Sequence, residues 1–525
     1  MKRYDLIVIG AGPAGLSAAL EGSRNGMKTV VFDENKKPGG QLFKQIHKFF
    51  GSKEHQAKIR GINIGKKLLQ DALDAGVEVK LDSVVTGIYA DHTVGVMENG
   101  QYEAFEANNI VVATGAAEKT IPFKGWTLPG VIGAGAAQTM MNLYGVRPGQ
   151  KVLMLGSGNV GLVVSYQLLQ AGCEVAAVVD AAPRVGGYGV HASKLTRTGI
   201  PFYLSHTIVE AEGIDHVTGV TIAEVDTSWK TIPGTEEHFD VDVICMAVGL
   251  NPMSQLVRMA GAKMKEAGGA VPICNSYGET SVPGLFAAGD VAGIEEASSA
   301  MINGHIAGLA AARRSGYISE EVFQKQYEDC EQSIAQLRQG MFAVENRGRT
   351  DLMVTEEECP LSQSLLKHGY VAEEEIEAYP GVTHKKGIHP VIECTQNIPC
   401  NPCQDACKFG CIKIGDNITA LPVVDDQKDC KNCGLCVASC SGQAIFLVDE
   451  DYDSEHATVT LPYEFFPLPK AGDTGKGLNR AGEVVCNAEV LNVKTSEAFD
   501  KTVLLTIKVP KDMAMKARFF QGRED

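Results

Sequence analysis

The sequence of 525 residues predicts an α/β protein with two nucleotide-binding domains built on parallel sheets, followed by helical, cysteine-rich and β-rich segments. Three observations predict this order. An apolar strand leads into a glycine-rich turn and a helix near residue 4, and the same succession begins again at residue 151. Nine cysteines lie between residues 394 and 440. Short alternating runs such as KTVLLTIKVP (residues 501–510) fill the tail.

Composition and charge exclude several kinds of protein. Lys and Arg number 48 against 64 Asp and Glu, and the formal net charge of −16 argues against nucleic-acid or anionic-membrane binding through bulk charge. No apolar run reaches about 18 residues, so no membrane span is expected. The N-terminal MKRYDLIVIG enters a strand at once and leaves no room for a signal peptide, so we expect a cytoplasmic protein. In a reducing compartment, clustered cysteines favour metal binding over disulfides.

The first glycine-rich turn lies in a strand–turn–helix–strand context, which makes it a specific signal for a Rossmann-like dinucleotide-binding domain. Gly10 allows the tight turn, Gly12 lets a pyrophosphate approach the backbone, and Gly15 permits close helix packing. Asp33 ends the second strand, where a carboxylate can bind ribose hydroxyls. The candidate ligand-binding residues of this motif are Gly10, Gly12, Pro13, Ala14, Gly15, Asp33 and Glu34.

A second copy of the motif begins at Lys151, with Gly156, Gly158 and Gly161 in the same spacing. Asp180 closes its second strand, and an acid there favours the ribose of NAD over the 2′-phosphate of NADP. Arg184 lies close by in sequence and weakens that preference. The alternative is a retained fold whose pocket is empty or holds another nucleotide.

Later strands that end in glycine turns complete a familiar pattern: NIVVATGA (109–116), DVICMAVGLNP (242–252) and TSVPGLFAAGDVAG (280–293). With these stretches, residues 1 to about 330 resemble the flavin-dependent pyridine nucleotide oxidoreductases. The resemblance implies that the first motif holds the FAD pyrophosphate, that GGQ (39–41) lies along the FAD, and that Asp290 contacts its ribityl-phosphate region. The further FAD-binding candidates are Gly40, Gln41, Thr114, Gly115, Gly289 and Asp290.

Members of that family that reduce disulfides need a pair of redox-active cysteines near the flavin. No cysteine follows the Gly-Gly segment, and Cys173, Cys245 and Cys274 of the second domain are isolated, so thiol–disulfide chemistry is excluded. His47 and His55 lie just downstream of the expected FAD contact. Each is either a proton donor near the flavin or a hydrogen-bonded loop histidine, and the sequence favours the second. No residue is assigned a catalytic role.

A longer pattern resembles a narrower group, in PGGQ…HKFFGS…ATGAAEKTIPFKGWTLPGVIGAGAAQ…FAAGDVAGIEEASSAM. It is similar to the flavoprotein α-subunits of multi-subunit amine and amino-acid dehydrogenases, namely opine oxidase, hydrogen cyanide synthase, dye-linked proline dehydrogenase and sarcosine oxidase. The resemblance implies two partners, a flavoprotein β-subunit that carries the substrate site and a small iron–sulfur subunit. It also implies that FMN can lie at a subunit interface and that another adenine nucleotide can replace FAD in the first pocket.

The expected function is an electron-transferring flavoprotein and iron–sulfur subunit of such a dehydrogenase, passing electrons between flavin, clusters and NAD or another acceptor. A flavin takes electrons in pairs and releases them singly, which suits one-electron iron–sulfur carriers in the same chain. One alternative is a self-sufficient NADH:acceptor oxidoreductase. The other is a structural subunit with degenerate nucleotide sites.

The second cysteine run has the ligand spacing of a two-cluster ferredoxin. Such ferredoxins use Cys-x2-Cys-x2-Cys-x3-Cys, in which the fourth cysteine binds the other cluster. Positions 430, 433, 436 and 440 have this spacing. Moving back by 33 positions gives Asn397, Cys400, Cys403 and Cys407, so three of four ligands repeat. The pattern predicts a ferredoxin-like domain with two 4Fe–4S clusters.

Asn397 leaves one ligand missing, and Cys394 can supply it if TQNIP loops out, as Pro399 allows. Cys411 falls opposite Ala444, in a position normally filled by a small packing residue, so we expect it not to bind iron. The alternatives are a three-iron cluster or the loss of one cluster. By the crossing rule the two ligand sets are Cys407, Cys430, Cys433 and Cys436, and Cys394, Cys400, Cys403 and Cys440.

These motifs divide the chain into five predicted domains. They are an FAD-binding domain (1–118 and 278–325), an NAD-binding-like domain (119–277), a helical connector (326–385), a ferredoxin-like domain (386–452) and a small β-rich unit (453–525).

Overall fold

The computed structural model describes residues 1–266, 270–342 and 362–522. The chain forms two compact units, one from Met1–Lys119 and Leu250–Glu357 and the other from Thr120–Gly249 and Glu358–Asp525. Across the described residues, no helix is long and apolar enough to cross a membrane.

The N-terminal segment alternates strands and helices as its sequence predicts. Strands β2, β1 and β6 are parallel, with Val8 beside Val31 on one side and Val111 on the other. Strands β5 and β4 continue this sheet in antiparallel fashion. The elements are β1 (Lys2–Ile9), α1 (Pro13–Arg24), β2 (Thr29–Phe32), α2 (Gly61–Asp74), β3 (Glu78–Lys80), β4 (Ser83–Ile88), β5 (Thr93–Glu98), β6 (Gln101–Val112) and β7 (Ala116–Glu118).

The second nucleotide-type domain is a five-stranded sheet in the order β11-β10-β9-β15-β8, with a three-stranded antiparallel sheet formed by β12, β13 and β14. The pairings within the five-stranded sheet are parallel. The elements are β8 (Val131–Gly133), α3 (Ala134–Gln138), β9 (Lys151–Leu155), α4 (Asn159–Gln170), β10 (Glu174–Asp180), α5 (Gly189–Thr196), β11 (Phe202–Leu204), β12 (His206–Gly213), β13 (Val217–Glu224), β14 (Glu237–Phe239) and β15 (Val243–Met246).

The chain then returns to the first unit earlier than predicted. The elements are β16 (Leu250–Pro252), α6 (Gln255–Met259), β17 (Leu285–Ala287), α7 (Ala297–Arg314) and α8 (Glu320–Leu337). Strand β16 pairs with β7, and the buried Val257 and Cys274 join the core that contains β1 and β6. The predicted boundary at residue 277 is therefore wrong, since the described residues 250–266 and 270–277 belong to the first unit.

Helix α7 lies against α1 at very close range. A Cβ on Gly304 would come 2.1 Å from the Ala14 carbonyl oxygen, and one on Gly308 would come 2.5 Å from that of Ala18. Only glycine permits this approach, because real Cβ contacts are never so short. Helices α1 and α7 both contact the 3₁₀ turn Gly289–Ala292, which contains the late Gly-Asp pair.

The C-terminal part of the second unit has one seven-stranded sheet in the order β18-β21-β22-β25-β24-β23-β26. Strands β21 and β22 pair across the predicted boundary at 452, so the ferredoxin-like and β-rich segments share this sheet instead of forming separate domains. The elements are α9 (Gln363–His368), α10 (Glu373–Ile376), β18 (His389–Ile392), α11 (Pro402–Ala406), β19 (Ile412–Lys413), β20 (Val423–Val424), α12 (Leu435–Ser439), β21 (Ile445–Asp449), β22 (His456–Tyr463), β23 (Thr474–Leu478), β24 (Val484–Lys494), β25 (Val503–Pro510) and β26 (Phe519–Gly522).

The predicted connector is not one element. Its start at residue 326 interrupts α8, which packs on α7 in the first unit. Residues 343–361 of the connector lie outside the described residues. Leu365, Ile376 and Tyr379 from its end pack into the core of the seven-stranded sheet.

A repeat of 33 residues is visible in the cysteine-rich segment. Helix α11 maps onto α12 residue for residue under this shift, β19 maps onto the start of β21, and β20 onto the start of β22. The two short helices contact each other. The shift deduced from cysteine spacing therefore describes the fold as well.

Candidate functional site

In the first glycine turn, the fold requires two of the three glycines and leaves space for a side chain at the third. A Cβ on Gly10, whose φ is 104°, would come 2.4 Å from the Ala113 carbonyl oxygen. A Cβ on Gly15 would come 1.8 Å from that of Gly10. A Cβ on Gly12 would meet only the Gly40 Cα, at an ordinary 3.9 Å. Gly12 therefore borders open space at the start of α1, which a side chain would fill.

That space has the electrostatics of an anion site. Helix α1 begins at Pro13 and Ala14, its N-cap is Gly12, and its first turn carries no acidic residue and no side-chain cap. The free N–H groups and the positive end of the helix dipole are thus available to a phosphate.

Asp33 lies at the end of β2 and fixes the turn. It is buried, and its Oδ2 accepts a hydrogen bond from the Ala11 N–H at 2.6 Å. Its Oδ1 accepts from the backbone N–H of Asn35 at 2.8 Å and from that residue's side chain at 2.9 Å. Glu34, next to it, is exposed. The buried carboxylate therefore orders the rim of the pocket.

The Gly-Gly segment closes over the same turn. The Gly39 N–H donates to the Ala11 carbonyl oxygen at 2.6 Å, and a Cβ on Gly40 would come 2.9 Å from the Gly12 Cα. Gln41 follows with an exposed side chain. Gly40 is thus brought beside Gly12, as an FAD-binding segment requires.

The later glycine turns reach the same end of the first sheet. The Thr114 hydroxyl donates to the Met253 carbonyl oxygen at 2.6 Å, and the Met253 N–H donates to the Gly115 carbonyl oxygen at 2.9 Å. A Cβ on Gly289 would come 2.8 Å from the Ala14 Cβ. Asp290 follows it, so the predicted residues of the first site gather around the N-terminus of α1.

Of the two histidines near this segment, His55 has a structural role. Its Nδ1 accepts a hydrogen bond from the Ser52 N–H at 3.0 Å, and its Nε2 lies 2.9 Å from the Ser333 carbonyl oxygen. Burial lowers the pKa of His55, which favours the neutral ring. His47 stacks on Phe49 with ring centroids 5.7 Å apart.

The second glycine turn repeats the first. A Cβ on Gly156 would come 2.3 Å from the Ala247 carbonyl oxygen and one on Gly161 2.0 Å from that of Gly156, whereas a Cβ on Gly158 would meet nothing within 4 Å. Asp180 accepts from the Ser157 N–H and hydroxyl, both at 2.7 Å. The second pocket therefore also has an open glycine beside a helix N-terminus.

Residues 4–304 match the family model described as pyridine nucleotide-disulphide oxidoreductase. The chain belongs to this family. It is accordingly an FAD-dependent oxidoreductase, and the expectation drawn from the glycine motifs is confirmed. The fold agrees with that of thioredoxin reductase from T. acidophilum, with a TM-score of 0.51 and 22% identity over 61% of this chain and 100% of that one.

Several relatives are named as parts of larger enzymes. The chain is 30% identical over 329 residues to a subunit of opine oxidase from Agrobacterium tumefaciens, covering 59% of this chain and 65% of that protein. It is 31% identical over 326 residues to the HcnB subunit of hydrogen cyanide synthase from Pseudomonas aeruginosa, covering 58% and 70%. It is 26% identical over 329 residues to the alpha subunit of sarcosine oxidase from Corynebacterium, covering 60% and 33%. The resemblance to this group of flavoprotein subunits is confirmed.

The cysteine-rich segment lies outside the matched residues 4–304. Burial and then Cys440 and Cys394 raise the pKa of Cys403. Burial and then the group of Cys430, Cys407 and Cys433 raise the pKa of Cys436 well above its usual value. These interactions link members of each expected set, and the full ligand sets, including Cys400, stay a prediction. In the part of the chain that the structure describes, no three His, Cys, Asp or Glu side chains form a site for a single metal ion.

Backbone contacts at the two runs support the 33-residue shift. The Cys411 N–H donates to the Cys407 Sγ at 3.2 Å, and the Ala444 N–H donates to the Cys440 Sγ at 3.3 Å. Cys411 thus occupies the place of Ala444, as predicted. Cys411 is buried, and burial and then Cys407 raise its pKa to about 11.

The side chain of Asn397 is already engaged in a buried hydrogen bond. Its Nδ2 donates to the Thr419 carbonyl oxygen at 2.8 Å, and the residue is buried. Cys394, three residues earlier, interacts with Cys403 instead. This arrangement agrees with Cys394 in the place of the missing ligand.

One group beside the cysteines has no counterpart in the sequence patterns. Glu393 binds Arg480 and Arg518, which lie 87 and 125 residues away in the sequence. Burial would raise the pKa of Glu393, but the two arginines outweigh it and hold the pKa at about 2. The only signal in the sequence is the charge of Glu393 directly before Cys394.

Proposed function

We propose that this chain is an electron-transferring flavoprotein and iron–sulfur subunit of a multi-subunit amine or amino-acid dehydrogenase of the proline, sarcosine or opine type. The observation that carries the proposal is one chain with an FAD-type turn and two sets of four cysteines. When bound, a flavin exchanges electrons in pairs or singly, and a 4Fe–4S cluster carries one. The chain relays electrons between these groups and NAD or another acceptor.

FAD is held in the first unit by the residues around the N-terminus of α1. The open face of Gly12 and the uncapped helix end receive the pyrophosphate, and Asp33 orders the ribose side of the pocket. The proposed contacts are Gly10, Gly12, Pro13, Ala14, Gly15, Asp33, Glu34, Gly40, Gln41, Thr114, Gly115, Gly289 and Asp290. Another adenine nucleotide can occupy this pocket if FMN serves at a subunit interface.

NAD binds the second glycine turn through Gly156, Gly158, Gly161 and Asp180. The open space at Gly158 supports a dinucleotide there. Asp180 already accepts hydrogen bonds from Ser157 and Ala182 and disfavours a 2′-phosphate.

Each iron–sulfur cluster takes cysteines from both runs. The first set, Cys394, Cys400, Cys403 and Cys440, forms the inner cluster site. The second set, Cys407, Cys430, Cys433 and Cys436, forms the outer cluster site. The buried Cys403 interacts with Cys440 and Cys394, and the buried Cys436 with Cys430, Cys407 and Cys433, so thiols of the two runs lie near one another. A bound metal would keep such thiols deprotonated.

The substrate site belongs to a partner. Relatives named as subunits of opine oxidase, hydrogen cyanide synthase and sarcosine oxidase support a hetero-oligomer. We assign the oxidation of the C–N bond to a flavoprotein β-subunit, and a small iron–sulfur subunit is a further partner.

Affinity purification of the full chain from its native cells, followed by cofactor and protein mass spectrometry, tests the proposal. The expected result is FAD, iron and a second flavoprotein in one complex, whose flavin absorbance bleaches with an amine or imino acid. A chain that purifies alone and bleaches fully with NADH would instead establish a self-sufficient NADH:acceptor oxidoreductase, the candidate that the open Gly158 pocket favours. A colourless, folded chain would indicate a structural subunit.

A further inference from the structure

Three arginines are buried around one carboxylate in the second unit. Arg197, Arg480 and Arg518 are each less than a tenth exposed. Glu393 binds the last two, and all four groups interact electrostatically. The Nε of Arg480 is buried and has no hydrogen-bond partner among the described residues. The group therefore carries more positive than negative charge.

The four members of this group come from three parts of the chain. Arg197 belongs to the second nucleotide-type domain, Glu393 to the cysteine-rich segment, and the other two arginines to the β-rich segment. Arg197 follows α5, and its guanidinium lies over the Phe446 ring at 5.4 Å, while that of Arg518 lies over the same ring at 4.9 Å. Phe446 is on β21, shortly after Cys440. Arg197 interacts electrostatically with Cys440, and Glu393 directly precedes Cys394. The arginines thus adjoin the inner cluster site.

The segments that carry the inner site also bind α4 and α5 directly. The Gly189 N–H donates to the Gln396 side-chain oxygen at 2.6 Å, and the Tyr166 hydroxyl donates to that of Gln443 at 2.8 Å. A Cβ on Gly442 would come 2.7 Å from the Val190 side chain. Lys194 lies 4.4 Å from the Tyr166 ring centroid. The segments around the inner site are therefore packed against α4 and α5.

The outer site is more open to solvent. Each set has three partly buried cysteines and one buried cysteine, so the difference lies in the neighbouring residues. Residues 408–409, 426–429 and 431–432 beside the outer set are exposed, with Phe409 at 46%, whereas residues 395–399 and 441–444 beside the inner set are buried. The outer site also has cations nearby, since the Lys494 Nζ lies 3.1 Å from the Cys433 carbonyl oxygen and Lys385 interacts with Cys430. Lys494 is exposed, so water screens its charge, whereas the inner site faces buried guanidinium groups.

Burying unpaired cations is costly unless an anion compensates them. A 4Fe–4S cluster bound by four thiolates is negative and gains one more negative charge on reduction. We infer that the positive charges of Arg197, Arg480 and Arg518 stabilise the reduced inner cluster and raise its reduction potential. The inner cluster then accepts electrons before the outer one. The inference rests on the proposed function, because it requires both clusters.

The test is an anaerobic potentiometric titration of the full chain followed by electron paramagnetic resonance. Arg197→Gln removes one charge, and we expect the ratio of reduced to oxidised inner cluster at a fixed potential to fall about tenfold or more, equal to 59 mV for one electron. The outer cluster should change much less. Cys433→Ser, which alters the outer site alone, assigns the two signals.

Matched variants distinguish a charge effect from a structural one. Arg197→Lys keeps the charge and should leave the inner potential near its native value, and Arg147→Gln removes an exposed arginine of the same unit and should change neither cluster. If Arg197→Gln does not fold, Arg480→Gln should lower the inner potential in the same way. Unchanged inner potentials in folded Arg197→Gln and Arg480→Gln, or equal shifts of both clusters, would overturn the inference. A native chain without iron would overturn the proposed function instead.

Discussion

The substitution Gly12→Val should remove FAD from the first pocket and leave the fold in place. Gly12 has φ −78° and ψ −174°, an extended conformation that valine adopts without strain. Its Cβ would lie 3.9 Å from the Gly40 Cα, so the protein itself has room for it. The γ-carbons would project into the space that we assign to the pyrophosphate.

The substitution should cost little stability and much FAD affinity. Valine in place of glycine at an N-cap costs about 1 kcal/mol of stability, which corresponds to a loss of roughly 2–4 °C in Tm. Displacing a charged pyrophosphate from even two N–H donors costs about 3–6 kcal/mol, or more than about a hundredfold in affinity. Gly15→Ala is the contrasting control, because its Cβ would lie 1.8 Å from the Gly10 carbonyl oxygen and should disrupt the turn itself.

The assay is the flavin-to-protein ratio after purification, together with thermal unfolding of flavin-free wild type and variant. Flavin-free samples are needed because bound flavin itself stabilises the native state. The equivalent substitution Gly158→Val, in the second unit, should leave FAD content unchanged. Full flavin content in Gly12→Val would refute the assignment of this pocket.

Four further predictions concern the second pocket and the cysteine-rich segment. Asp180→Ala should narrow the preference for NADH over NADPH, measured by titration of each nucleotide; equal affinities in the wild type would count against an NAD site. Wild-type chain prepared without oxygen should contain about eight irons, as two 4Fe–4S clusters require. Cys394→Ser should damage one cluster in electron paramagnetic resonance while Cys411→Ser damages neither, and a silent Cys394→Ser would contradict the ligand set. Glu393→Gln should destabilise the protein at pH 7 by about 3–5 kcal/mol, because it leaves buried arginines uncompensated. The pKa of Glu393 is held at about 2, below the usual glutamate value of 4.5. The difference in unfolding free energy between wild type and Glu393→Gln should therefore shrink as the pH falls from 4.5 towards 2. A constant difference in denaturant unfolding over that pH range would exclude the pairing of Glu393 with the arginines.

The sequence predicts the nucleotide-type turns well because their glycines are constrained locally. Gly10 and Gly15 each leave room for a carbonyl oxygen of the same turn or the adjacent strand, so the pattern itself reports the geometry. The 33-residue repeat is similarly local, and it predicts that Cys411 occupies the position of Ala444.

Features that depend on contacts between residues far apart in the sequence cannot be predicted from such local patterns. The short strand β16 belongs to the first unit because it pairs with β7, more than a hundred residues earlier. The boundary at residue 452 fails because β21 and β22 share one sheet. Arg197, Arg480 and Arg518 lie in three separate segments that no periodicity connects, so their convergence near Cys440 requires the fold.

The central claim, that this chain relays electrons from a partner's substrate oxidation, is tested most directly by adding substrate to the anaerobic complex and recording its electron paramagnetic resonance. Proline, sarcosine and an N-carboxyalkyl amino acid are the substrates to compare. We predict that at least one of them produces reduced 4Fe–4S signals in the complex and none does so in the isolated chain. Substrate reduction without any iron–sulfur signal, or full reduction of the isolated chain by NADH alone, would contradict the account.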